Sequence, residues 1–84
     1  MHYVYVLKSE ADGQFYTGCT SDLRKRFQQH NDGNVPATHL RTPFKLVYYE
    51  ASLSAADAFR REKYLKTSYG KRYLKSRLRY YFTG

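Results

Sequence analysis

The stretch that most constrains this chain is its beginning, HYVYVLKSEADGQFYTGCT. Residues 2–8 are rich in β-branched and aromatic types and are apolar at both alternating parities. That is the pattern of a central strand covered on both faces. ADGQ then supplies an Asp-Gly turn, the strongest short hairpin signal, and QFYTGCT reads as the returning strand. Strand side chains alternate with a period of two. An even number of loop residues puts Tyr5, Leu7, Tyr16 and Gly18 on one face; an odd number sends Tyr5 and Tyr16 to opposite faces.

Beyond the hairpin, Thr20 or Ser21 can cap a helix with Asp22 in its first turn, where the helix dipole favours an anion. This helix runs to about His30 and stops at NDGN. Residues 32–44, with Gly33, Pro36 and Pro43, form a loop carrying His39 and Arg41. FKLVYYE is a third strand, in which Tyr48 and Tyr49 are strand packing. Ser54 caps a helix from about Ala55 to Thr67, SYG breaks it, and residues 71–81 form a last basic helix. The order β-β-α-β-α-α predicts an α+β fold, a small three-stranded antiparallel sheet flanked by helices. With no repeat or linker, the 84 residues are expected to form one domain, its core at about 2–67 and its basic C-terminal helix at about 70–82.

The formal charge of +8 is unevenly placed. After Glu62 no acidic residue follows, while Lys63, Lys66, Lys71, Arg72, Lys75, Arg77 and Arg79 do. They interleave with Tyr64, Tyr69, Tyr73, Tyr80 and Tyr81, which suits a polyanion with stackable bases. A single cysteine, Cys19, excludes an intramolecular disulfide framework. There is no apolar run long enough to span a bilayer and no secretory signal, so a cytoplasmic protein without membrane contact is expected.

Helical geometry separates the cations of the first helix. At about 100° per residue, Leu23 and Phe27 define its buried stripe, and Arg26 and His30 sit one turn apart at the stripe's edge. Arg24 and Lys25 fall toward water. On the next helix, Ala55, Ala58, Phe59 and Leu65 mark the apolar face, with Glu62 at its centre, Lys66 close by, and Arg60, Arg61 and Tyr64 pointing elsewhere. A carboxylate within a core-facing stripe is costly unless it meets a cation, donors or a metal. Two hairpin tyrosines, an Arg and His one turn apart and a lone inward Glu suit phosphodiester hydrolysis. One carboxylate with waters and substrate phosphate suffices for Mg²⁺. An arginine can neutralise charge growing on the phosphate, and a tyrosine can serve as general base if its pKa is lowered.

The chain resembles the GIY-YIG nuclease superfamily, specifically its small stand-alone bacterial members. YVYVLKS, residues 3–9, is similar to the first half of the motif, with Tyr3-Val4-Tyr5 where the family name has Gly-Ile-Tyr. FYTGCTSDLRKRFQQHN is similar to the second half, with Tyr16-Thr17-Gly18 followed by Leu23, Arg26 and His30. AFRREKYLK resembles the segment with the metal-binding Glu, here Glu62. The resemblance implies endonucleolytic cleavage of DNA, or nucleic acid more broadly, in repair or processing, with one Mg²⁺ or Mn²⁺ ion held by Glu62. It implies that Tyr5 and Tyr16 position and deprotonate water, that Arg26 stabilises the phosphorane-like charge, and that His30 assists the base or holds the phosphate. Gly18 would let the hairpin approach the substrate closely, and Lys66 stands in for a polar Asn used by some relatives. Arg41, Lys71 and Arg72 are expected to touch substrate. The alternatives are a non-catalytic nucleic-acid-binding module, or an adaptor in a repair complex, for which Tyr80, Tyr81 and Phe82 would form an exposed apolar patch.

Overall fold

The structure, a computed structural model, describes residues 1–84. Three strands, β1 (His2–Ser9), β2 (Phe15–Thr20) and β3 (Phe44–Ser52), form one antiparallel sheet in the order β2-β1-β3. The hairpin pairs Tyr5 with Gly18, Leu7 with Tyr16 and Lys8 with Phe15, so residues 9–14 close the turn. That even number puts Tyr5, Leu7, Tyr16 and Gly18 on one face.

Four α-helices accompany the strands, α1 (Leu23–Asn31) between β2 and β3, and α2 (Ala55–Leu65), α3 (Ser68–Arg77) and α4 (Arg79–Thr83) after β3. The apolar character of β1 at both parities has a direct cause. Val4 and Val6 pack in a buried cluster with Ala58, Leu65 and Leu74 from α2 and α3, joined at its margin by Cys19, Val47, Tyr48 and Tyr73. Tyr5 and Leu7 are buried on the opposite face, where α1 and the 32–43 loop cover them. Tyr48 is thus strand packing as expected, whereas Tyr49 is exposed and meets only the edge of Tyr3.

Helix boundaries differ from the sequence reading at three places. Asp22, not Thr20 or Ser21, caps α1: its carboxylate accepts from the Lys25 amide at 3.1 Å, while Thr20 Oγ1 accepts from the Asp22 amide. Ser54 caps α2 as expected. Ser68, Tyr69 and Gly70 do not break a helix but begin α3, because the Thr67 side chain accepts from the Gly70 amide. The last basic segment is two helices rather than one. At Leu78 the backbone leaves helical geometry (φ −106, ψ 26), and the bend lays Phe82 edge-on against Phe15, ring centroids 5.6 Å apart.

The 32–43 loop is tied down at its ends. The Asn31 side chain accepts from the Phe44 amide at 2.7 Å and donates to the Phe44 carbonyl at 3.3 Å. The Ser9 hydroxyl donates to the Arg41 carbonyl.

Candidate active site

Gly18 lies directly beneath the Tyr5 phenol, and a Cβ there would overlap the ring. The glycine is therefore the seat of Tyr5, and its own surface is buried. From this seat the Tyr5 hydroxyl reaches His30 Nε2 at 2.8 Å, and His30 Nδ1 reaches Thr38 Oγ1 at 2.7 Å. All three side chains are 1% exposed or less. A neutral imidazole donates through one nitrogen and accepts through the other, so each member of this chain is satisfied. Tyr16 is half-buried beside them, its ring centroid 5.1 Å from His30 and 6.4 Å from Tyr5.

Electrostatics divide the roles. Burial pushes the Tyr5 phenol above its ordinary pKa despite the opposing Arg26 guanidinium, and the Glu62 carboxylate raises it further. His30 is pushed down to about 4 by burial and then by the Arg26 charge, so at neutral pH it is uncharged. With no exposed surface and both nitrogens engaged, His30 is not placed to hold a phosphate, which corrects that part of the expectation. Tyr5 is equally enclosed. Of the pair, Tyr16 is the phenol that reaches the surface.

Arg26 is half-buried at the Tyr5 hydroxyl and also donates to Gln29 Oε1 at 3.3 Å, while Arg24 and Lys25 point into solvent. Glu62 approaches from α2 with its side chain only 15% exposed, and Lys66 Nζ donates to it at 3.1 Å. Its charge acts on both Tyr5 and Cys19, so it faces the hairpin as the wheel predicted. The wheel misplaced two neighbours. Phe59 is 53% exposed, and Arg61 turns inward, with Nε on Glu50 at 2.7 Å and its guanidinium 4.5 Å from the Tyr73 ring. The inward arc is rotated from Phe59 toward Arg61 because β3 supplies a carboxylate to meet the cation.

The remaining basic residues fall in three places. Arg41 Nε bonds Asp12 at 2.8 Å and the guanidinium lies over Phe44, so it ties the loop to the hairpin turn. Arg72 stacks on Tyr69. Lys71 lines a cavity together with Lys66. No group of three or more His, Cys, Asp or Glu residues could hold a metal ion. A lone carboxylate nevertheless fits a hard divalent ion whose other ligands are water and substrate oxygens. Thr38 and the Glu50–Arg61 pair had no local signature in the sequence. Both are partnerships between different elements, Thr38 of the loop with His30 of α1 and Arg61 of α2 with Glu50 of β3, which the periodicity of a single element does not reveal.

Residues 1–77 match the model of the GIY-YIG catalytic domain, and the chain belongs to that family. Among similar proteins, the UPF0213 protein SSP2268 of Staphylococcus saprophyticus is 40% identical over 67 residues, 79% of this chain and 80% of the relative. The UPF0213 protein CPE1444 of Clostridium perfringens is 45% identical over 67 residues, 79% of this chain and 71% of the relative. The UPF0213 protein VNG_2274C of Halobacterium salinarum is 42% identical over 67 residues, 79% of this chain and 86% of that protein. A solution NMR structure of a UPF0213 protein from Bacillus halodurans superposes with a TM-score of 0.56 at 38% identity, covering 89% of this chain and 82% of that one. No helix of the present structure is long and apolar enough to cross a membrane.

Proposed function

We infer that this chain is a metal-dependent endonuclease hydrolysing phosphodiester bonds in DNA. The observation that carries the reading is that the half-buried Arg26 of α1 and Glu62 of α2, its side chain only 15% exposed, both face the hairpin that carries Tyr5 and Tyr16. One helix on each side of the sheet thus delivers an opposite charge to the same hairpin.

In this reading Glu62 would hold the single Mg²⁺ or Mn²⁺ ion, and Lys66, its present partner, would meet a substrate phosphate. Such an ion, when bound, neutralises negative charge on the phosphate under attack. Tyr16, the phenol at the surface, orients the attacking water. Tyr5, His30 and Thr38 behind it fix the hairpin side of the site rather than touching substrate. Arg26 stabilises the charge that grows on the non-bridging oxygens, a contribution worth about 10²–10³ in rate for one aimed donor.

A nicking assay on supercoiled plasmid tests this reading. Cleavage is expected with Mg²⁺ and not with EDTA, lost in Glu62→Ala and reduced about a hundredfold or more in Arg26→Ala. Arg24→Ala, on the wet side of the same helix, is expected to cut like the wild type. Salt-sensitive binding without cleavage in any variant would sink the nuclease reading in favour of a binding module.

A further inference from the structure

Beside the candidate active site lies a cavity of about 550 Å³ between β2 and the C-terminal helices. Its walls are apolar: Leu74 and Leu78 close the back, and the edge-on pair Phe15 and Phe82 forms the side near the hairpin turn. No acidic residue lines it, and Lys71 and Lys75 stand with Lys66 among its lining residues. Both phenylalanines keep about two-fifths of their surface exposed, 39% and 43%, although burying them would be favourable. The cavity adjoins the site described above, since Tyr16 and Lys66 are among its lining residues and Lys66 also bonds Glu62.

Flat aromatic walls inside a collar of cations suit a ligand that joins an uncharged aromatic ring to phosphates. Base-on-aromatic stacking is worth about 1–3 kcal/mol per base and tolerates any sequence. Gln14 and Thr17, the uncharged polar side chains on the lining, can meet the polar edge of such a ring. We propose that this cavity is a nucleobase subsite: it takes one unstacked base of the nucleic-acid substrate while Lys71 and Lys75 hold the adjoining phosphates. The proposal rests on the nuclease reading and extends it, since the substrate must then present a base outside a duplex stack beside the bond to be cut.

Binding without cleavage isolates the subsite. Fluorescence anisotropy in EDTA would compare a short thymidylate strand with a strand of equal length and charge built from abasic tetrahydrofuran nucleotides. Wild-type protein is expected to prefer the base-bearing strand by about tenfold or more, the lower part of the stacking range. Phe82→Ala, and the double variant with Phe15→Ala, are expected to erase that preference while leaving abasic binding unchanged. Lys71→Ala is expected to weaken both strands equally. Equal wild-type affinity for the two strands would overturn the subsite and leave the nuclease reading standing. A preference that survives the phenylalanine substitutions would also overturn it, placing the base elsewhere. Failure to bind either strand would overturn the nucleic-acid reading along with the subsite.

Discussion

His30 is enclosed by Tyr5, Tyr16 and Phe44, and that burial, with the Arg26 charge, holds its pKa down from 6.5 to about 4. In the unfolded chain the imidazole takes up its proton near the ordinary value, so below that pH the unfolded state binds one more proton than the folded state. Stability is therefore expected to be fully present above about 6.5 and to fall as pH drops toward about 4. The total loss from this group is about 3 kcal/mol, at about 1.4 kcal/mol per pKa unit. Urea denaturation across that range would measure it. His30→Asn is expected to be less stable at neutral pH and to lack this part of the slope. The sequence placed His30 one turn from Arg26 at the edge of a helix stripe, and that much was legible because helical periodicity is local. Its enclosure was not. It depends on Thr38, supplied by a loop whose path no periodicity describes.

At the scale of elements, the junction of α2 and α3 shows how one residue carries two opposite meanings. Gly70 reads in sequence as a helix stop, yet it lies in the first turn of α3 and is buried against α2. A Cβ there would run into the Tyr64 carbonyl and the Leu65 Cα, backbone atoms that cannot rotate aside. Helix propensity alone predicts that Gly70→Ala stabilises the protein by up to about 1 kcal/mol. The packing predicts the opposite sign, a loss of about 1–3 kcal/mol from forced separation of the helices. The midpoint of urea unfolding decides between them, and a downward shift is expected. The hairpin and the inward Glu62 were readable because alternation and helical rotation dictate them, whereas the register stood open between an even and an odd turn until the pairing of Lys8 with Phe15 fixed it. The split at Leu78 and the inward turn of Arg61 were not readable, since each answers a partner on another element, Phe15 of β2 and Glu50 of β3.

Across the whole molecule, the charge of +8 becomes a directional feature only after folding. Asp12, Glu50 and Glu62 each take up one cation through their ion pairs with Arg41, Arg61 and Lys66. The acid-free segment after Glu62 meanwhile brings Lys66, Lys71 and Lys75 to a single cavity beside the site. A face with about three such phosphate contacts gives a steep salt response. Affinity for nucleic acid is expected to fall about fortyfold between about 50 and 200 mM salt, from a slope of roughly 0.9 per neutralised phosphate. A titration by anisotropy at several salt concentrations measures the slope, and a flat response would contradict a phosphate-binding face. That the chain is basic was plain from its composition. Which cations are free and which are committed to ion pairs was settled only by tertiary contacts.

The tether from Thr38 to His30 also has a kinetic meaning. The loop that supplies Thr38 is held by polar contacts at its ends and by the buried Val35, so its opening with the sheet still paired is expected to cost less than complete unfolding. Each such excursion would leave His30 with one nitrogen bare and loosen its hold on Tyr5. In the proposed nuclease, the fraction of molecules with Tyr5 held in place is expected to follow the opening of this loop rather than the melting of the fold. Amide exchange along residues 32–43 would report readiness more faithfully than a thermal midpoint.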